Sequence, residues 1–163
     1  MVKTLKAVDF ANWIINHADR EAGEAVTHLK AQKLLYFAQA YYLANFNKAI
    51  FEEDFEAWAH GPVVTDVWHH FKQYAWEALP IQEKAPVFSD KQINKYMLAV
   101  YDKYGKLGAK RLEEITHQHA PWKDARGDLP PESKCSTVID KKKIRDFYAE
   151  RIGKVWKKPF SYA

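Results

Sequence analysis

Apolar residues recur along this chain at intervals of three and four, the spacing that gathers them on one face of an α-helix. Ala7, Phe10, Ala11, Ile14, Ile15 and Ala18 define a first amphipathic helix, which Glu21-Ala22-Gly23-Glu24 breaks. Thr27 suits the N-cap of a second helix over roughly residues 28–45. Leu34, Leu35, Phe37, Ala38, Tyr41 and Tyr42 make that helix apolar over more than half its circumference, so it belongs at the centre with several neighbours around it. Residues 50–59 alternate irregularly and have room for one or two short strands. Helical spacing returns from Pro62 to about Tyr74, with Val63, Val67 and Phe71 on one stripe.

After a connector from Leu79 to Pro86, Ser89 and Gln92 predict a capping box, with Phe88 stapled onto Ile93. Ile93, Met97, Val100, Tyr101 and Tyr104 form that helix's buried stripe, and Gly105 suits its C′ position. A fifth helix over about 107–118 buries Leu112 and Ile115, and Pro121 to Arg126 adds a short helical turn. Gly127 to Thr137, with Pro130-Pro131, is the longest irregular stretch. Asp140 caps a final helix, Ile139 staples onto Ile144, and the stripe runs through Phe147, Tyr148, Ile152 and Val155 until Pro159 stops it. The fold class is therefore mainly α: a compact single-domain bundle of about six helices, with a short β-hairpin admitted near residues 50–59.

At 163 residues the chain fits one domain, since domains cluster near ~100–150 residues. With 47% hydrophobic and 15% aromatic residues it is globular. The single cysteine, Cys135, excludes an internal disulfide and a cysteine-rich zinc site. The N-terminus does not read as a secretory signal, and no apolar run approaches the ~18 residues that span a bilayer. A soluble cytoplasmic protein is the expectation. The formal charge of +4 is uneven: residues 140–163 carry eight Lys or Arg against three carboxylates, a local +5 that leaves −1 for the first 139 residues. Basic character thus belongs to the last helix and tail, which argues against a general nucleic-acid-binding surface.

Candidate chemistry is sparse. None of the seven histidines is paired at the His-x-x-x-His spacing; His117 and His119 diverge by about 200° on a helix. There is no Gly-rich phosphate loop and no Gly-x-Ser-x-Gly elbow. Glu52, Glu53, Asp54 and Glu56 read as a solvated acidic stretch, and Cys135 as a bystander thiol. Neither catalysis nor a metal nor a cofactor is expected. Lys141, Lys142 and Lys143 crowd the first turn of the last helix, where the macrodipole disfavours cations. That placement suits an acidic partner, although a solvated face explains it as well. With Trp156, Phe160 and Tyr162 nearby, phosphates remain a weaker alternative.

The densest signal is Ala57-Trp58-Ala59-His60-Gly61-Pro62-Val63-Val64. Gly-Pro imposes a turn, Pro62 fits the first position of a helix, and a bulky indole and an imidazole flank the corner. Trp58, His60 and Trp122 are the side chains to place at a docking site, since Trp and Tyr anchor interfaces; plain core packing of both indoles is the competing reading.

Gln32-Lys33-Leu34-Leu35-Tyr36-Phe37-Ala38-Gln39, the Ala57-Trp58 and His60-Gly61-Pro62-Val63 corner, and Thr116-His117 with Pro121-Trp122 and Ala125-Arg126 occur in an order that resembles the Panacea domain. That family includes antitoxins, phage-associated GepA-type proteins and the proteolytic adaptor SocA. The likeness spans roughly residues 7–153. It departs where the family usually has a second Leu-Gln, here Ala31-Gln32, and often a tyrosine at His60, so no role of that tyrosine is carried over. The resemblance implies a helical, non-enzymatic domain over residues 1–153, followed by a basic tail over 154–163. Its partner would be a cognate protein toxin, neutralised by direct binding. An adaptor delivering the toxin to an AAA+ protease is the alternative, and a nucleic-acid-binding phage protein a weaker one. The residues expected at the partner surface are Trp58, His60, Gly61, Pro62, His117, Trp122, Lys141, Lys142 and Lys143. Which toxin, and which oligomeric state, the sequence leaves open.

Overall fold

One helix runs through the middle of the protein with nearly every side chain out of solvent, in a computed structural model that describes residues 5–156. This is α2 (His28–Phe46), capped by Thr27, whose hydroxyl accepts from the Lys30 amide, and closed by Asn47 in the left-handed region at φ 54°. Around it lie α1 (Ala7–His17), α3 (Thr65–Phe71, continued by a 3-10 turn Lys72–Tyr74), α4 (Lys91–Tyr104), α5 (Ala109–Gln118), α6 (Ala120–Arg126) and α7 (Lys141–Arg151). A three-stranded antiparallel sheet completes the set: β1 (Phe55–Trp58), β2 (Gly61–Val63) and β3 (Val138–Ile139), in the order β2-β1-β3. The longest helix–helix contact is between α2 and α7, and α1, α3, α4, α5 and β2 also touch α2.

The core is unusually aromatic. Tyr36 meets Phe55, Phe37 and Tyr148 edge-on, and Phe37 stacks on Tyr104 at 4.5 Å. Each such ring buries a large apolar area, worth roughly 2–3 kcal/mol apiece. Polar groups inside are matched to main chain: Gln39 accepts from Ile50 N–H and donates to the Phe51 carbonyl, which pins the loop leading to β1. Tyr96 donates to the Ala38 carbonyl, and the wholly buried Arg145 donates to the Asn47 side chain that ends α2.

The mainly helical expectation holds, with corrections. There are seven α-helices among the described residues, not six, because Pro121 to Arg126 belongs to a full helix. His119, extended at φ −96° and ψ 138°, separates it from α5, and Pro121 sits in its first turn, where a missing N–H is tolerated. The hairpin near 50–59 runs instead from 55 to 63, and it gains β3, a two-residue strand too short to leave a pattern. Pro62 lies in β2 and does not start a helix. It sits on an edge strand, where its lost donor is harmless, and α3 begins at Thr65. Asp90, not Ser89, caps α4, its carboxylate accepting from Gln92 and Ile93 N–H; an anion is the stronger acceptor at a helix N-terminus. Phe88 stacks on Phe10. Gly105 is right-handed at φ −64°; it is small because the Tyr101 ring would lie 2.7 Å from any Cβ there.

At the C-terminal end Asp140 caps α7 as expected, but the helix stops at Arg151. Gly153 at φ +79° turns the chain, and this leaves Val155 exposed and Ile152 partly so. Lys154 and Trp156 then turn back, donating to the Asn45 and Ala44 carbonyls of α2. Lys157, Lys158, Pro159, Phe160 and Tyr162 lie outside the described residues. None of the described helices is long and apolar enough to cross a membrane.

Two buried imidazoles predict how the fold responds to acid. His28 and His119 are both pushed down to about 4, chiefly by burial, with Lys33 and Arg151 respectively adding repulsion. The unfolded chain therefore takes up protons below about 6.5 that the folded chain refuses until about 4, so stability falls across that window as pH drops. Urea-unfolding midpoints should decline as pH falls from about 6.5 to 4; His119→Gln should shallow the decline.

Candidate partner-binding surface

The corner at Trp58–Pro62 is a hairpin joining β1 to β2. Trp58 pairs with Gly61, and only Ala59 and His60 lie between. Gly61 supplies the left-handed φ of +103° that closes so short a link. It is also required for room, since a Cβ there would sit 2.4 Å from Lys33 Cε and 3.0 Å from Thr116 Oγ1.

What holds this hairpin is a set of polar side chains from α2 and α6, each bonded to main chain. Gln32 accepts from Val64 N–H at 2.9 Å and donates to the Val64 carbonyl at 3.2 Å. Lys33 Nζ donates to the Pro62 carbonyl at 3.1 Å. Trp122 Nε1 donates to the Trp58 carbonyl at 2.8 Å, and Arg126 Nη1 to the Ala57 carbonyl at 2.9 Å. An unpaired buried backbone group costs roughly 1–3 kcal/mol, whereas a made bond returns only about 1. These side chains are thus required more for what their loss would expose than for what they contribute.

Charge is handled sparingly here. Lys33 is wholly buried, and desolvation pulls its ammonium down to about 7, opposed by the Glu113 carboxylate. Glu113 Oε1 also faces two imidazoles, His60 Nδ1 at 3.5 Å and His117 Nε2 at 3.7 Å. His117 stacks on Trp122 with ring centroids 3.9 Å apart, and burial holds it below the usual histidine range. Among the described residues no three His, Cys, Asp or Glu are arranged to hold a metal ion.

Of the residues expected at the partner surface, Trp58, His60, Gly61, Pro62, His117 and Trp122 do converge, but they divide into two kinds. Gly61, Pro62 and Trp122 are buried, and His117 is half-buried against the indole; they shape the hairpin from behind. His60 is 70% exposed at the tip, and Trp58 lies half-buried on the outer face of β1 with its Nε1 donating to Glu56. Lys141 is buried: its ammonium binds the Glu52 carbonyl and the Asp54 carboxylate, so it fastens α7 to the loop before β1. Lys142 and Lys143 stay on the exposed first turn of α7 and join none of these bonds.

Beside the displayed pair lies a groove of about 680 Å³, lined by Trp58, Ala59, His60 and Trp68 and by Lys134, Cys135 and Ser136. Sequence reasoning missed the last four as site residues. Trp68 carried a usable signal, because it falls off the Val63, Val67, Phe71 stripe of its helix and so presents an indole outward. Lys134 to Ser136 carried none. They belong to the irregular stretch that Arg126 organises: its Nη2 donates to the carbonyls of Pro130, Pro131 and Ser133 while its guanidinium lies 5.0 Å over the Trp122 ring. A planar donor fork suits several carbonyls at once in a way a lysine would not.

Two predictions test this support. Gly61→Ala should lower unfolding free energy by about 3 kcal/mol, combining left-handed strain with the Lys33 collision, as read by chemical denaturation. Between pH 7 and about 9.5 the unfolded chain keeps a proton on Lys33 that the folded chain has already released, so stability should rise with pH across that window. Lys33→Met should abolish that rise.

The model of the family described as antitoxin SocA-like, Panacea domain, matches residues 31–123. This is narrower than the likeness over 7–153 read from the motifs, yet it runs from α2 through Trp122 and contains the whole hairpin. Arg126 and the stretch it organises follow the matched span. No curated protein and no solved structure matches the chain. With more than half of its length matched by that model, this protein belongs to the antitoxin SocA-like, Panacea-domain family.

Proposed function

We propose that this protein is an antitoxin that neutralises a cognate protein toxin by direct, stoichiometric binding, with no chemical step of its own. The observation that carries the proposal is the family match over residues 31–123. The corner's construction supports it. Gln32, Lys33, Trp122 and Arg126 spend their polar atoms on the hairpin's main chain, which leaves Trp58 and His60 facing outward on a braced support. A braced aromatic is what an interface anchor requires, because little entropy is lost when a partner closes over it. In this proposal a patch centred on Trp58, His60 and the adjoining groove covers the toxin's working surface, and Lys142 and Lys143 are a second, outlying contact.

The test is co-expression with the toxic protein encoded beside this gene. The expected outcome is growth rescue and a complex that co-purifies at fixed stoichiometry. Trp58→Ala keeps the carbonyl that Trp122 binds, so the hairpin should stay in place, with an unfolding midpoint lowered by the lost packing on Trp68. It should weaken the complex about 30-fold, roughly 2 kcal/mol, by isothermal titration. A toxin that vanishes from cells only when this protein and an AAA+ protease are both present would replace masking with delivery.

A further inference from the structure

The groove beside Trp58 has a composition that says what it can receive. Its floor is two indoles, Trp58 and Trp68, with ring centroids 5.6 Å apart and planes inclined at 59°. Both are half-buried, which leaves some apolar area that a partner can cover. The opposite wall is the extended run Lys134-Cys135-Ser136, held in place through the carbonyls that Arg126 gathers just upstream and through the bond from Ala57 N–H to the Thr137 carbonyl. Val138, the next residue, is half-exposed and lies opposite Glu56 in the sheet register, so apolar surface continues past the groove.

The lining residue with a fixed charge is Lys134. No carboxylate lines the groove, whereas Lys134 and the imidazole of His60 do. Lys72 lies 5.3 Å over the Trp68 ring from the far side, and His69 meets the same ring edge-on at 5.1 Å. Two carboxylates touch lining residues from outside the groove: Glu56 accepts from Trp58 Nε1, and Glu113 faces His60 and His117. An apolar floor with Lys134 in its lining and Lys72 against Trp68 complements an apolar side chain carried beside carboxylates, and it disfavours a basic segment.

We infer that this groove docks an acidic segment of the protein partner, seating one large apolar side chain of that segment between Trp58 and Trp68 and its carboxylates against Lys134, Lys72 and His60. The inference rests on the antitoxin reading and deepens it. It also places part of partner selection on Lys134 to Ser136, which lie beyond the span the family model matches.

The test uses the full chain and three short synthetic peptides: Asp-Glu-Phe-Leu-Glu-Asp, the charge-inverted Lys-Arg-Phe-Leu-Arg-Lys, and Asp-Glu-Ser-Ser-Glu-Asp without the apolar pair. A single strand of about ten thymidines is the fourth probe. Indole N–H signals of Trp58 and Trp68 are followed by NMR. The first peptide should move both signals and bind about tenfold tighter than any other probe, and Lys134→Glu should reverse the preference between the first two. Equal or tighter binding of the charge-inverted peptide, shifts confined to Lys142 and Lys143, or tighter binding of the thymidine strand at these indoles would each overturn the inference. The growth assay separates the two levels. If Trp68→Ala and Lys134→Glu rescue as well as the unaltered protein, the groove assignment fails and the antitoxin reading stands. If the unaltered protein gives no rescue, the reading fails and the groove assignment falls with it.

Discussion

A turn of backbone buried inside a helical bundle must have its N–H and carbonyl groups answered, and here the answer comes from side chains. Sheet pairing alone cannot do it, because β2 is three residues long and lies at the sheet's edge. Gln32 therefore behaves as a surrogate strand, offering one acceptor and one donor to the two polar groups of Val64. Lys33, Trp122 and Arg126 extend the same logic to Pro62, Trp58 and Ala57. Most of the rest follows. The central helix must bring polar groups into the core, α6 must form a true helix to aim an indole and a guanidinium at one carbonyl row, and Gly61 must be bare to let Lys33 pass.

Lys33 is the costliest part of this arrangement. A primary amine with no exposure, its charge opposed by desolvation, would be expelled from most cores. It persists because its long stem fills the space below Gly61 and because even the neutral amine donates to Pro62. Glu113 softens the cost and at the same time draws His60 toward α5, so one carboxylate links the buried base of the hairpin to its exposed tip.

How much of this is legible in the sequence depends on which physical signal each residue leaves. Period-3.6 stripes reveal the helical body, since Phe10, Ile14, Met97 and Ile144 owe their positions to burial alone. The caps at Thr27 and Asp140 are read correctly, because a side-chain oxygen before a helix has few other uses. The misreadings have a common cause. Pro62 at a helix start, Ser89 as a cap and Lys141 as a surface cation are sound by local propensity, and each yields to a better partner: Lys33 for the Pro62 carbonyl and the Glu52–Asp54 loop for Lys141, both distant in sequence, and for the cap the stronger carboxylate of neighbouring Asp90. The corner itself is legible as a feature. Its division into a buried brace and a displayed face is not, because exposure is decided by α5 and α6, some 55 residues further along the chain. Lys134 to Ser136 leave no pattern at all, since they are placed from either side, by the Arg126 bonds to the carbonyls just before them and by the Ala57 bond to the Thr137 carbonyl just after.

Every clamp on the hairpin grips peptide units, and a peptide unit is the same whatever residue it belongs to. The clamps therefore set a pose without specifying the side chains that the pose presents. The main-chain clamps thus leave the side chains at positions 58, 60 and 134 largely unspecified, much as a typeface is independent of the press, with only Glu56 and Glu113 touching the first two. Such a frame lets a few outward letters be rewritten with no redesign of the body beneath.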